Sequence, residues 1–280
     1  MRHAPLLFLL LASSALAQPR TFGTLYLVET EPVPGGPSPL SAETPAQWRF
    51  VELIYAPLYH SDGAGGFEPV LASSVVVGDG GKSVTVSLKD GAQWSVGRDI
   101  TGIDIVYTFE LARIGKWNEA YVDVLRSVVS VSRSADGFGA VLKLSEPVAK
   151  PESLLIVPLI PSGLHGPLDD ERKQRPLPLG TVGAGPFKLA EEGNSAVLVA
   201  NLVAARPPKI SEVRVISAGS PALAAEMVRL MGDSVTFELP RFDSAIASVE
   251  FGARRLDATR TRLEMIVYDP AGSPLAAANV

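Results

Sequence analysis

Three short segments in which side chains alternate in character constrain the fold of this chain most strongly. They are Ser83–Leu88, Val129–Ser132 and Ala140–Leu144. Successive side chains of a β-strand point to opposite faces, so this alternation is typical of a strand with one face in the core. Strands that keep their other face in water usually pair antiparallel. The segments therefore predict an antiparallel sheet in the first half of the chain.

Capping residues predict two helices around this sheet. Thr44 suits the N-cap of the first helix, Pro45 its first turn and Gln47 the third position of a capping box. The helix then carries apolar residues at helical spacing, namely Trp48, Val51, Ile54 and Tyr55. The second helix opens with the capping pattern of Thr101 and Asp104. Its predicted apolar stripe consists of Ile103, Val106, Tyr107, Leu111 and Ile114.

A third helix and five more strands complete the predicted elements. The helix begins at Pro221 after Ser220, ends before Gly232, and is predicted to bury Leu223, Met227 and Leu230. The strands are Thr21–Val28, Ala196–Ala200, Val213–Ile216, Val235–Leu239 and Leu263–Tyr268. Pro- and Gly-rich segments predict a loop over residues 29–45 and a long connection between two lobes over Pro158–Pro186. Strands and helices do not alternate regularly, which predicts an α+β fold.

The first seventeen residues predict export. Met1–Ala17 has a basic start, an apolar run and small residues at the A-x-A positions, so cleavage is expected before Gln18. The apolar run Leu6–Ala12 is shorter than the roughly 20 residues that span a bilayer, so no stable membrane insertion is expected. The chain has no cysteine, which excludes disulfides and a lipid-modified cysteine. Its net charge of −5 gives no reason to expect nucleic acid as a partner.

No residue pattern typical of catalysis is present. His60 and His165 are far apart, and Asp169–Glu171 lacks the spacing of a calcium loop and is read as a solvated loop. There is no G-x-S-x-G segment. The glycine-rich Gly183–Phe187 lacks the lysine of a phosphate loop and predicts a tight turn into a strand. We therefore expect no enzyme activity, no metal and no cofactor, and we assign the tryptophans to the core.

A series of segments, in chain order, resembles the extracytoplasmic solute-binding proteins of peptide and nickel ABC transporters, family 5. No single segment is specific, but the ordered set is. The segments are Ile54–Leu58 (IYAPL), Phe67–Ala72 (FEPVLA), Asp79–Trp94, Thr101–Tyr107, Leu159–His165, Gly183–Phe187 and Ala222–Asp233. The chain departs from the family pattern at Val96, at Ala184 and in the segment Asn201–Val203.

The resemblance implies half of a type II-like periplasmic binding protein fold. Its expected parts are a signal peptide (1–17), lobe I (18–50 and 170–270), an inserted accessory subdomain (51–169), and a tail (271–280) where a second lobe would begin. Family members are about twice as long, so the resemblance predicts a truncated member.

The resemblance also implies a function, the capture of a peptide or similar small solute for ABC permease subunits in the periplasm. The expected ligand contacts are Thr30, Glu31, Pro32 and Val33 after the first strand, with Gly183 and Ala184 near the hinge. Glu31 could meet a ligand cation, or could be an ordinary exposed loop residue. Two alternatives stay open: a lone-lobe protein-interaction module without a small ligand, and a secreted hydrolase.

Overall fold

Two larger β-sheets organise the chain in this computed structural model. The structure describes residues 22–29, 39, 42–62, 65–113, 119–162, 182–191, 195–220, 222–224, 226–227 and 235–237. Outside them lie the predicted signal peptide (1–17), residues Thr30–Val33, Trp117, His165, the acidic segment Asp169–Glu171 and the predicted strand Leu263–Tyr268. Antiparallel and mixed sheets occur together with helices, which confirms the predicted α+β class.

The first sheet has five strands and mixed directions. In chain order they are β1 (Phe22–Glu29), β8 (Phe187–Glu191), β9 (Ser195–Ala200), β10 (Ile210–Ser217) and β11 (Val235–Phe237). They lie in the order β11-β1-β10-β9-β8. β1 is parallel to both of its neighbours, whereas β9 pairs antiparallel with β10 and with β8. The four predicted strands in these regions belong to this sheet over their described residues, 22–28, 196–200, 213–216 and 235–237.

The second sheet is wholly antiparallel, as the alternating segments predict. Its strands are β4 (Ala72–Gly78), β5 (Ser83–Leu88), β6 (Val128–Arg133) and β7 (Gly139–Leu144), in the order β4-β5-β7-β6. A separate hairpin consists of β2 (Tyr59–Ser61) and β3 (Phe67–Pro69). Short 3₁₀ helices cover Asp79–Gly81 and Pro151–Leu155. Val84, Val86, Leu88, Ala140, Leu142 and Leu144 are buried as predicted, with Trp94 in the same core.

Helix α1 (Pro45–Ile54) begins where its capping box predicts. The Thr44 hydroxyl accepts a hydrogen bond from the backbone N–H of Gln47 (3.3 Å), whose side chain accepts one from the Thr44 N–H (3.1 Å). The helix packs its apolar face on the five-stranded sheet, where Phe50 and Leu53 meet Leu25 and Leu27. Helix α1 lies against β1, the element before it in the chain, and the candidate site includes residues of both.

Helix α2 (Gly102–Arg113) is buried on two sides, and the predicted stripe is partly wrong. Ile103 is 50% exposed, whereas Ile105, Phe109 and Ala112 are buried. One side of α2 packs on β6 and β7, and the other meets the segment after residue 153, where Thr108 Oγ1 accepts a hydrogen bond from the N–H of Ile160 (2.9 Å). Tyr107 and Leu111 of the predicted stripe are buried, as predicted. Apolar residues therefore occur around most of the helix, and a single stripe describes only part of its buried surface.

Two further expectations need correction. Leu159 and Ile160, at the start of the predicted connection, are fully buried in the core of the second sheet, so the connection begins later. After β10, the Ser220 hydroxyl accepts a hydrogen bond from the N–H of Leu223 (3.2 Å), which confirms the predicted cap. Leu223 itself is 51% exposed, and Ala224 is the buried residue. A small side chain there lets the turn approach the sheet closely.

The remaining described helix, α3 (Glu119–Val124), links the two cores. The ring of Tyr121 meets that of Trp48 of α1 edge to face, with 5.4 Å between the centroids. No helix among the described residues is long and apolar enough to cross a membrane.

Candidate functional site

Three parallel strands of the first sheet end side by side and form a common carboxyl edge. Glu29, the last residue of β1, lies beside Ser217, the last residue of β10. On the other side of β1, Val28 lies beside Phe237 of β11. The Glu29 carbonyl accepts a hydrogen bond from the N–H of Ala218 (2.8 Å), which ties the two strand ends together.

The chain leaves this edge toward opposite faces of the sheet. After β1 it continues into α1, which shares a core with Leu25 and Leu27. After β10 it continues into the helical residues 222–224 and 226–227, where Ala224 packs against Val28 on the other face. In open α/β sheets, ligands bind outside the carboxyl ends of adjacent strands whose connections diverge in this way. The geometry identifies this edge as the candidate binding crevice.

A buried ion pair lies directly at the edge. Glu29 Oε1 accepts a hydrogen bond from Arg49 Nε (2.9 Å), and Oε2 accepts one from the guanidinium Nη2 (2.5 Å). The side chains are only 2% and 12% exposed for Glu29 and Arg49, respectively. A two-point contact of this kind fixes orientation as well as distance. The pair therefore locks the end of β1 onto the middle of α1.

The local sequence explains why these two charges meet. Leu25, Leu27 and Glu29 share one face of β1 because side chains alternate. Arg49 lies three residues after Ala46 and four before Leu53, within the buried stripe of α1. Both charges thus point into the same interface, where each needs a partner. This pair was not predicted, although an arginine inside an apolar helical stripe is a signal of a buried charge that needs a partner.

The predicted site residues fall into two groups, one outside the described residues and one just before β8. Thr30–Val33 follow Glu29 directly in the chain but lie outside the described residues. Gly183 and Ala184 are buried just before β8, whose first residue Phe187 pairs with Ala200 of β9. Because β8 runs in the same direction as β1, its start lies at the amino edge, roughly 20 Å along the strands from Glu29. Their ligand contacts stay a prediction.

Close backbone packing accounts for the glycines before β8. The carbonyl of Ile54, at the end of α1, accepts a hydrogen bond from the N–H of Gly185 (2.8 Å). A Cβ on Gly183 would lie 2.0 Å from that same carbonyl oxygen. The carbonyl of Gly183 accepts a hydrogen bond from the N–H of Ser95 (2.8 Å), on the side of the second sheet. The segment is therefore clamped between the two cores.

Two titratable groups outside the Glu29–Arg49 pair have pKa values shifted chiefly by burial. Burial, and then the charge of Glu52, raises the pKa of Tyr121. Burial and the neighbouring Arg206 lower the pKa of Lys89. The described residues hold no group of three or more carboxylate or histidine side chains that could bind a metal ion.

Comparison with known proteins gives the family. A family model described as bacterial extracellular solute-binding proteins, family 5 Middle, matches residues 66–280, which is well over half of the chain.

Solved structures share the fold at low sequence identity. The oligopeptide-binding protein AppA from Bacillus subtilis, in complex with a nonapeptide, is 22% identical, with a TM-score of 0.64 over 79% of this chain and 45% of AppA. A periplasmic oligopeptide-binding protein from Thermotoga maritima, with bound mannohexaose, is 23% identical, with a TM-score of 0.61 over 79% and 43%. NikZ from Campylobacter jejuni, in complex with Ni(L-His), is 17% identical, with a TM-score of 0.57 over 74% and 42%.

The match covers less than half of the length of each of these structures. Three observations point to the same family: the order of the resembling segments, the fold with its mixed and antiparallel sheets, and the family model. The chain belongs to the family 5 bacterial extracellular solute-binding proteins.

Proposed function

We propose that this chain is a solute-binding component of an ABC importer, which takes up a peptide or a similar small solute. The observation that carries the proposal is the crevice at the carboxyl edge of β1 and β10, in a chain that belongs to a solute-binding family. The ligand contacts of the proposal are Thr30, Glu31, Pro32 and Val33, which continue the chain from Glu29. Gly183 and Ala184 are proposed to support the hinge.

Charge at the edge favours a ligand with a cationic end. Arg49 is neutralised by Glu29 in a two-point contact, so the ion pair contributes no net charge to the crevice. Glu31 then supplies a negative charge two residues further along the chain. A peptide amino group would form a charge-assisted hydrogen bond with that carboxylate. The nonapeptide bound by AppA makes peptides the first class to test.

The proposed organisation follows the two cores. We propose a lobe over 18–50 and 170–270 around the core that contains residues from β1, α1, β8, β9 and β10. Val51 and residues 53–55, at the end of α1 and just after it, also contribute to this core. The other core is built mainly from residues 56–160 and supports an inserted subdomain over 51–169. The proposal also includes export with cleavage before Gln18, a periplasmic location, delivery of the solute to permease subunits and the absence of catalysis.

Ligand titration tests the proposal. The purified chain is mixed with peptides of three to nine residues, with mannohexaose and with nickel–histidine, and its Tm is measured. A ligand at 100 times its Kd stabilises by about 2.7 kcal/mol, which gives a clear rise in Tm. Glu31→Gln and N-acetylation of the peptide should each weaken binding, whereas Glu43→Gln, a change of an exposed glutamate before α1, should not. The absence of any shift with every ligand class refutes the proposal.

A further inference from the structure

Strand β4 forms an open edge of the second sheet. In the described part of the chain its only pairing partner is β5. The pairing shifts register between Ala72 and Ser74 and is then regular from Ser74 to Gly78. The outer backbone groups of this five-residue segment have no hydrogen bond to any other described segment. They are available to a further extended strand.

This edge lacks the protection that the other long edge strands carry. Natural edge strands are usually interrupted by charges, by proline or by bulges. All three edge strands have a register shift, but β6 also contains Arg133, and β8 also contains Lys188 and Glu191. β4 reads Ala-Ser-Ser-Val-Val-Val-Gly and has no charge and no proline. Val76 is 61% exposed, and its neighbour Val77 is also exposed.

The exposed segment is self-complementary. Ser74-Val75-Val76-Val77-Gly78 reads small-Val-Val-Val-small in both directions. If two copies pair antiparallel with Val76 at the centre, Val76 faces its own copy and Val75 faces Val77. Every central cross-strand pair is then a pair of β-branched side chains, which is a favourable combination in sheets. A two-fold interface requires self-complementarity of this kind.

We propose that β4 is an interaction edge for a second copy of this chain, with the two β4 strands paired antiparallel across a two-fold axis at Val76. The two four-stranded sheets then form one continuous sheet of eight strands. Charge does not oppose the contact, because the nearest acidic side chain, Asp79, forms a salt bridge with Lys143. The proposal does not depend on any ligand at the carboxyl edge of the first sheet.

Cysteine cross-linking tests the register directly. The chain has no cysteine, so a single introduced thiol reports on one contact. Val76→Cys places two thiols opposite each other, within reach of a disulfide, because facing Cβ atoms of an antiparallel pair lie about 5 Å apart. Val129→Cys, at a 54% exposed position on the opposite edge strand β6, is the matched control. Under mild oxidation the first variant should form covalent dimers at least about ten times faster than the second.

Sedimentation velocity over a concentration series tests the affinity. The unmodified chain should move from monomer toward dimer as its concentration rises, and Val76→Lys should weaken dimerisation at least about ten-fold because two ammonium groups then face each other. Val129→Lys should leave it unchanged. The proposal is overturned if the unmodified chain stays monomeric, if Val76→Lys dimerises equally well, or if both cysteine variants cross-link at the same rate. Circular dichroism of each variant verifies that it is folded.

Discussion

The ion pair between Glu29 and Arg49 gives the sharpest prediction for stability. We expect Arg49→Met to destabilise the chain strongly, because it leaves the carboxylate of Glu29 only 2% exposed and without its two-point partner. The loss of one partner from a buried ion pair costs about 3 to 5 kcal/mol. Since whole domains are stable by only about 5–15 kcal/mol, the effect should be large.

Two companion variants separate the ion pair from packing. The double variant Glu29→Gln/Arg49→Met replaces both charges by neutral groups of similar size, so no unpaired charge remains and much of the stability should return. Arg214→Met is the surface control. Arg214 Nε donates to Glu212 Oε1 at 2.6 Å, but these side chains are far more exposed, so its removal should cost less than about 1 kcal/mol.

Urea unfolding, followed by circular dichroism and tryptophan fluorescence, measures these differences. With a slope of about 2–3 kcal/mol per molar urea, Arg49→Met should lower the midpoint by roughly 1–2 M. Trp48 is adjacent to Arg49 in α1 and reports on this region. If Arg49→Met costs no more than Arg214→Met, or if the double variant is no more stable than Arg49→Met, then the pair does not stabilise the carboxyl edge.

Two other predictions follow from the contacts between the cores. Gly183→Ala should lower the free energy of unfolding by about 1–3 kcal/mol or more, since its Cβ would lie 2.0 Å from the carbonyl oxygen of Ile54. Gly78→Ala is the control, because its Cβ would lie 3.8 Å from the nearest atom, and it should be close to neutral in urea unfolding. Because burial raises the folded-state pKa of Tyr121, its contribution to stability is complete below pH 10 and is lost as pH rises beyond that value. Absorbance titration should therefore show less phenolate in the folded chain than in the denatured chain at a pH just above 10, and Tyr121→Phe should reduce that difference.

Local signals in the sequence were sufficient for most strands and for the start of α1. Alternation depends on one strand and its two faces, and the Thr44–Gln47 cap depends on four consecutive residues. The buried side of α2 was not predictable in this way. Helix α2 packs between β6–β7 on one side and the Leu159–Ile160 segment on the other, which lies far away in the sequence. Only the fold brings these surfaces together, so Ile103 could not be recognised as exposed.

In the candidate site, too, local features were predictable from the sequence and contacts between elements were not. The sequence predicts that the chain after β1 borders the crevice, since this follows from the family resemblance and from one strand. It does not show that Glu29 pairs with Arg49, because that contact needs the relative position of β1 and α1. The packing role of Gly183 depends on the relative positions of three parts of the fold, namely α1, Ser95 and β8. Each missed feature is a contact between elements, and a local pattern such as the arginine in the apolar stripe of α1 does not name the partner.

The contacts of the Gly183–Gly185 segment bear on how the two cores move. On one side the segment bonds to Ile54 of the first core, and on the other side to Ser95 of the second. Neither glycine has room for a methyl group, so the three backbones are packed too closely to slide past one another. Trp48 and Tyr121 add a ring contact across the same junction. The second sheet should therefore follow the first sheet as one rigid body, and a closing motion over the crevice at Glu29 must come from a partner surface beyond these two cores.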